Sequence, residues 1–238
     1  TIDKIAVLLP DLRPGGAECL HMHLAGYWAG QGLKVDFVLR RAQGELLAQL
    51  PPGASVVDLH ATRVRHVLRP LVRYLKREQP DVLLAAMWPL TVIAPLAAKL
   101  AGFRGRVVVS EHSPLSLAYA GKGVAHRMLL RASQRLLYPL ADAVVAVSGG
   151  VADDLARLSG LPRAAFTVIP NPAATGRADG PLPEKPAALA GCSGPVILSV
   201  GTLKAVKRHD VLIEAFAQLQ VFPQAVLCIV GEGAERAA

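Results

Sequence analysis

The sequence predicts an α/β fold: a Rossmann-like parallel sheet with helices on both faces, followed by an incomplete second Rossmann-like domain. Short apolar runs alternate with helical patterns along most of the 238 residues. Each run is brief and lies between turn signals, which reads as strand and not helix. The composition, 52% hydrophobic and 18% charged, is rich enough to fill a sizeable core. Alternation of this kind implies right-handed crossovers and a mostly parallel sheet.

Lys4 to Leu9 is the first strand, and a helix is expected over Ala17 to Gln31. Lys34 to Leu39 and Ser55 to Leu59 are the next strands, with a helix over roughly Arg69 to Glu78. Val82 to Ala98 is seventeen residues without a charge, but Pro89 and Pro95 interrupt it and it is short for a membrane span. It reads as a buried strand, Val82 to Ala86, and a buried helix over Leu90 to Leu100, because strands of a parallel sheet are apolar on both faces. Arg106 to Ser110, Ala143 to Val147 and Phe166 to Ile169 are further strands, and Val124 to Tyr138 and Gly150 to Leu158 are helices. Ser113 to Gly123 reads as a flexible loop. Residues 1–170 therefore form one domain. Residues 171–195 hold Pro, Gly and Ala in quantity without apolar periodicity, and read as a linker. In residues 196–238 the alternation resumes. Val196 to Val200 is a strand, Leu212, Ala215, Phe216 and Leu219 recur with helical spacing, and Ala225 to Val230 is a second strand. Two strands and one helix cannot bury both faces of an open sheet, so this domain is expected to be truncated.

The formal net charge of +8 implies an anionic partner: nucleotide sugar, phospholipid, lipid diphosphate or nucleic acid. Nucleic acid is disfavoured, since the four Tyr and two Trp are not interleaved with the basic clusters. Cys19, Cys192 and Cys228 are odd in number and widely spaced, which suggests reduced thiols and a cytoplasmic setting. No signal-peptide pattern opens the chain.

Four segments could carry chemistry. After the first strand, Gly15-Gly16 opens a helix, and glycine lets backbone approach a phosphate at the positive end of the helix dipole. A plain turn from strand into helix would look the same. This is neither the G-x-G-x-x-G of dinucleotide enzymes nor a P-loop. Ser110-Glu111-His112 follows a strand, at the edge where an open parallel sheet forms its ligand crevice. An imidazole there can serve a sugar hydroxyl or a phosphate oxygen, or merely brace a loop. In Ala143 to Ala173, Ser148 is a plausible N-cap, and Asp153-Asp154 are expected in the first helical turn, complementing the dipole. Finally, Gly201 ends a strand and is followed by Lys204, Lys207 and Arg208, cations that suit a diphosphate leaving group or form a solvated basic turn.

Taken together these segments resemble the family-4 retaining glycosyltransferases of GT-B fold, in the family's order and over nearly the whole chain. Gly15-Gly16-Ala17-Glu18 is similar to its GGAE loop, and Ser110-Glu111-His112 to its acceptor-side His segment. AVSGGVADDL with VIPNP, Gly201 to Phe216, and IVGEGAER resemble its remaining motifs. The resemblance implies that Gly15, Gly16, Gly201, Thr202 and Lys207 bind the donor phosphates, and that His112 and Glu111 serve catalysis near the transferred sugar. It implies retention of configuration by front-face attack, a nucleotide-diphosphate sugar as co-substrate, no metal and no other cofactor. Consistent with that, no D-x-D motif is present, and Cys19, His21 and His23 are spread around a helix, with Cys19 and His23 the only aligned pair. Two departures stand out. Thr202 occupies the family's usual arginine position, where Lys204 or Arg208 would have to compensate. The family's pair of glutamates for ribose and sugar hydroxyls is missing, so little turnover is expected from this chain.

The acceptor is expected to be a glycan or a lipid-linked molecule. Lys122, Arg127, Arg131 and Arg135 lie on or before a helix with apolar neighbours, a pattern that suits peripheral contact with an anionic membrane at its inner face. Arg63, Arg65, His66, Arg69, Arg73, Lys76 and Arg77 form a second basic region, and a solvated surface explains both equally well. Two other functions compete: a non-catalytic nucleotide- or phosphate-binding domain, and an NAD-dependent oxidoreductase. The last would need an acidic residue ending the second strand, which ends instead in Arg40-Arg41. The oligomeric state is not legible.

Overall fold

The computed structural model describes residues 2–172, 184–219 and 221–237. The chain divides into two compact units, Thr1–Ala173 and Ala174–Ala238. Residues 173–183, within the expected linker at 171–195, lie outside the described residues; of the remainder, Ala187–Leu189 form a single 3-10 turn.

The first unit is a seven-stranded sheet. Its strands are β1 (Lys4–Leu9), β2 (Lys34–Leu39), β3 (Ala54–Asp58), β4 (Val82–Ala86), β5 (Arg106–Glu111), β6 (Ala143–Ala146) and β7 (Phe166–Val168). They lie in the order β3-β2-β1-β4-β5-β6-β7, and every pairing is parallel. The connecting helices are α1 (Gly16–Gly30), α2 (Leu68–Glu78), α3 (Leu90–Ala101), a short α4 (Leu115–Ala118), α5 (Val124–Leu137) and α6 (Gly149–Ser159). Among the described residues no helix is long and apolar enough to cross a membrane, and the uncharged stretch from Val82 divides into β4 and α3.

Alternation along β1 explains the two cores. Ala6 and Leu8 face a cluster with Leu71, Tyr74, Leu83, Val109, Leu130 and Leu155, drawn from α2, α5, α6 and the strands. Ile5, Val7 and Leu9 face the other way, against Ala25 of α1, Phe37, Leu39 and Leu46. Burial on both faces is the reason these runs are continuous and not alternating. The strand order reverses direction between β1 and β4, so a crevice opens at the carboxyl ends of those strands.

The loop leaving β1 is fixed before it reaches α1. Leu12 donates its amide to the Gln43 carbonyl at 2.9 Å and accepts from Leu46 N at 3.1 Å. Asp11, buried, binds Arg13 Nη2 at 2.7 Å and Gln43 Nε2 at 3.3 Å. Burial opposes the Asp11 charge, but these hydrogen bonds outweigh it and hold the carboxyl below its usual range. Gly44 completes the contact at φ 118° and ψ 155°, a conformation essentially confined to glycine. A Cβ there would overlap the Leu12 carbonyl.

The segment expected as a flexible loop, Ser113 to Gly123, contains α4. Its shape comes from a distant acid: Asp154 of α6, buried, accepts from Ser116 N at 3.0 Å and Ser116 Oγ at 2.5 Å. This corrects the expectation for Asp153-Asp154. The first turn of α6 carries no acid, because the helix begins at Gly149 and both aspartates fall deeper in it. Asp153 pairs with Arg163 at 2.6 Å. Ser148 does cap α6, accepting from Val151 N at 3.2 Å.

In the second unit β8 (Val196–Val200) and β9 (Val226–Val230) pair in parallel, joined through α7 (His209–Ala217). Leu212, Phe216 and Leu219 are half-buried, while Leu198, Val200 and Val230 are exposed. Gly231 and Gly233 let the loop after β9 lie directly on the loop after β8: a Cβ at either would overlap the Gly201 or Leu203 carbonyl.

Replacing Gly44 by Ala is expected to lower unfolding stability by about 2 kcal/mol or more, from backbone strain and the lost Leu12 contact. Urea denaturation reads this directly. An unchanged midpoint would show that the β1 loop is held elsewhere.

Candidate functional site

The site in the first unit is built on the carboxyl ends of β1, β5 and β6. At β1, α1 starts at Gly16 with Gly15 as its extended N-cap. Glu18, third residue of the helix, turns its carboxylate back toward Gly15, as an acid at that position does in a capping box. Gly16 differs from the glycines that packing demands. A Cβ at Gly16 would meet nothing within 4 Å, so the fold itself does not require glycine there.

At β5, Glu111 and His112 are adjacent in sequence but differ in environment. Glu111 is 1% exposed. Its Oε1 accepts from Thr91 Oγ1 at 2.5 Å and from Tyr138 OH at 2.9 Å, and its Oε2 lies 3.3 Å from the Trp88 amide. Those donors come from the first turn of α3, the end of α5 and the turn after β4. Burial pushes the carboxyl up to about 7, against the opposing hydrogen bonds. Glu111 therefore sits inside the protein wall, where it fixes the turn that shapes the crevice.

His112 is half-buried and lines an open groove of about 450 Å³ with Pro114, Ser116, Leu117, Ser148 and Gly150. One ring nitrogen, Nε2, lies 3.0 Å from Ser110 Oγ, and the buried Nδ1 has no hydrogen-bond partner among the described residues. Its ring meets the edge of His21 at 5.5 Å. His21 is itself buried in α1, with Nδ1 2.6 Å from the Ala17 carbonyl. Burial, reinforced by His21, pulls the His112 pKa down to about 4, so the imidazole is neutral at physiological pH. A neutral imidazole can accept a proton or share a hydrogen bond with a hydroxyl, and the groove floor adds the amide end of α6 beside it.

Among the sequence-derived candidates, Gly15 and Gly16 open α1, and His112 touches the same helix through His21. Sequence reasoning missed that contact, and it missed the Glu111 and Asp154 partners, which lie 20 to 38 residues away. The one available signal was His21, a polar residue on the otherwise apolar inner side of α1.

Gly201 and Thr202 follow β8, and a Cβ at Gly201 would lie 3.9 Å from Lys207 Cε, so the Lys207 stem lies over this loop. Arg208 is engaged with Asp210, Nη2 to Oδ2 at 3.0 Å. Lys204 and Lys207 are the cations near Thr202 that have no ion pair among the described residues. Lys122, Arg127, Arg131 and Arg135 are exposed on α5 and the turn before it.

A family model described as Glycosyltransferase Family 4 matches residues 14–177, and one described as Glycosyl transferases group 1 matches residues 187–238. No curated protein matches the chain. Among solved structures, HepE of Anabaena in complex with UDP-glucose is 22% identical, with a TM-score of 0.69, covering 96% of this chain and 60% of its own. Sucrose-phosphate synthase from Thermosynechococcus elongatus is 19% identical, with a TM-score of 0.64, covering 99% and 64%. The lipopolysaccharide outer core galactosyltransferase WaaB is 19% identical, with a TM-score of 0.59, covering 98% and 62%. The chain thus spans about three fifths of the length of these structures. Their likeness places its fold among GT-B glycosyltransferases.

The raised Glu111 pKa has a consequence for stability. Protons bind Glu111 more tightly in the folded than in the unfolded chain, whose carboxyl sits near the ordinary 4.5. Its contribution is complete below about pH 4.5 and is lost as pH rises to about 7, a loss on the order of 3 kcal/mol. Glu111→Gln is expected to flatten the stability profile across that window in urea titrations. A variant profile parallel to wild type would assign the slope to other groups.

Proposed function

The chain belongs to glycosyltransferase family 4, and from that premise we propose that it transfers a sugar from a nucleotide-diphosphate donor to a glycan or lipid-linked acceptor with retention of configuration. The observation that carries this reading is Gly16. Nothing in the protein occupies the space a side chain would take there, at the amide-bearing end of α1. Glycine at such a position leaves room for backbone to meet a phosphate closely. The neutral His112, in contact with α1 through His21, stands where it can hydrogen-bond the transferred sugar or the attacking hydroxyl.

In this reading the bond from the anomeric carbon to the donor phosphate breaks as the acceptor oxygen attacks from the same face. The acceptor proton passes to the departing phosphate oxygen, and no metal takes part. Glu111 positions the crevice through Trp88, Thr91 and Tyr138, and does so without leaving the interior. In the second unit taken by itself, the amides at Gly201 and Thr202 and the cations Lys204 and Lys207 suit a phosphate, and the lysines offset the missing arginine at Thr202. HepE, a structural neighbour solved with UDP-glucose, supports a nucleotide sugar as donor.

Gly16→Ala separates this function from mere folding. Alanine is the better helix former, so thermal stability should hold or rise by up to about 1 kcal/mol. Nucleoside diphosphate affinity, measured by calorimetry with UDP, GDP and ADP in turn, should fall roughly tenfold, since the added methyl displaces the phosphate by its own radius. Unaltered affinity for every nucleotide that binds would remove the α1 anion site.

A further inference from the structure

We propose that α5 is an interfacial helix that seats the first unit on an anionic lipid bilayer. The inference stands on the helix's own surface and does not depend on glycosyl transfer.

At about 100° per residue, the fourteen residues of α5 divide into three lengthwise faces. Leu130 and Gln134 are buried, with His126, Ser133 and Leu137 half-buried beside them; this face docks on the protein. The docking is specific: the Trp88 ring meets His126 at 5.3 Å, and Trp88 Nε1 donates to Ser133 Oγ at 3.1 Å. The opposite face carries Val124, Met128, Ala132, Leu136 and Leu129, all exposed. Met128 is 66% exposed, Leu129 59% and Leu136 68%. Three large apolar side chains on one helix face, each mostly in water, are what a single surface leucine is not: a contiguous strip that wants a partner.

The third face identifies that partner. Arg127, Arg131 and Arg135 form one row along the edge of the apolar strip, four residues apart and exposed. None has an ion pair among the described residues; the Arg135 guanidinium lies by Gly160, at the end of α6. The charge is uncompensated over a longer stretch than the helix. From His112 to Ala141 the chain holds Lys122 and these three arginines and not one acid. A protein partner's apolar groove would match the strip alone. Lipid headgroups match strip and row together, because arginine stems can lie along the apolar boundary while their guanidinium groups reach phosphates. The helix is about 21 Å long, too short to span and well suited to lie flat.

The test is flotation of the full 238-residue chain with vesicles of phosphatidylcholine alone or with 30% phosphatidylglycerol. Binding is expected to the anionic vesicles and not to the neutral ones, and to fall in high salt. Each cation near such a surface strengthens partition roughly fivefold, so R127Q with R131Q should weaken it at least tenfold. M128S with L129S and L136S should abolish it while circular dichroism stays native, as the residues are exposed. A polarity-sensitive dye on L129C should shift to the blue on anionic vesicles, which reads insertion without deleting any contact. Equal partition into both vesicle types, or no loss in the apolar variant, overturns the proposal. So does a dimer in light scattering that M128S with L129S and L136S dissolves, since the strip would then be covered by a second copy. Because partition and not turnover is read, either result leaves the donor reading untouched.

Discussion

The buried carboxyl of Glu111 is the point on which the crevice depends. It ends β5, and its oxygens gather the Trp88 amide, the Thr91 hydroxyl and the Tyr138 phenol. An acid this deep would cost several kcal/mol unpaired, and these three donors offset that cost. They come from the turn after β4, the start of α3 and the end of α5. One side chain therefore sets the crevice wall, the next residue's imidazole and the helix that faces solvent. The residue after it, His112, inherits a fixed position, and its second nitrogen has no partner among the described residues.

The strands were legible because each had to be apolar on both faces, and that constraint writes itself into consecutive residues. β1, β2 and β4 fall where their runs predict them, and Ser148 caps α6 as its position suggests. The polar framework was not legible. Asp154 reads like a dipole-compensating acid near a helix start, yet it reaches across to Ser116 and shapes α4. Glu111 stands at a strand end, and its partners sit in three other elements. Local pattern reports periodicity and capping; it is silent about pairs that meet through the fold. The glycines divide on the same line. Gly15-Gly16 announces a turn, but that packing leaves Gly16 free while forbidding any side chain at Gly44 is a fact of three dimensions.

The basic character also resolves into parts with different fates. Arg13 and Arg40 stand around Asp11, Arg157 pairs with Asp154 and Arg208 with Asp210. These cations build structure. Lys204 and Lys207 beside Gly201, and the α5 row, have no ion pair among the described residues. The formal excess of +8 is thus carried in patches, each of which suits phosphate.

The contact between Leu12 and Gly44 has an evolutionary reach. It interlocks the loops that follow β1 and β2, with backbone bonds from Leu12 to Gln43 and Leu46 and no side-chain thickness between them. An insertion in either loop would pull the start of α1 out of place, so descendants of this protein can change neither length alone. The segment from Ser113 to Gly123 is tied by side chains instead, Ser116 to Asp154 and the Tyr119 hydroxyl to the Trp88 carbonyl at 3.3 Å. Its length can therefore vary between those ties without moving the start of α1.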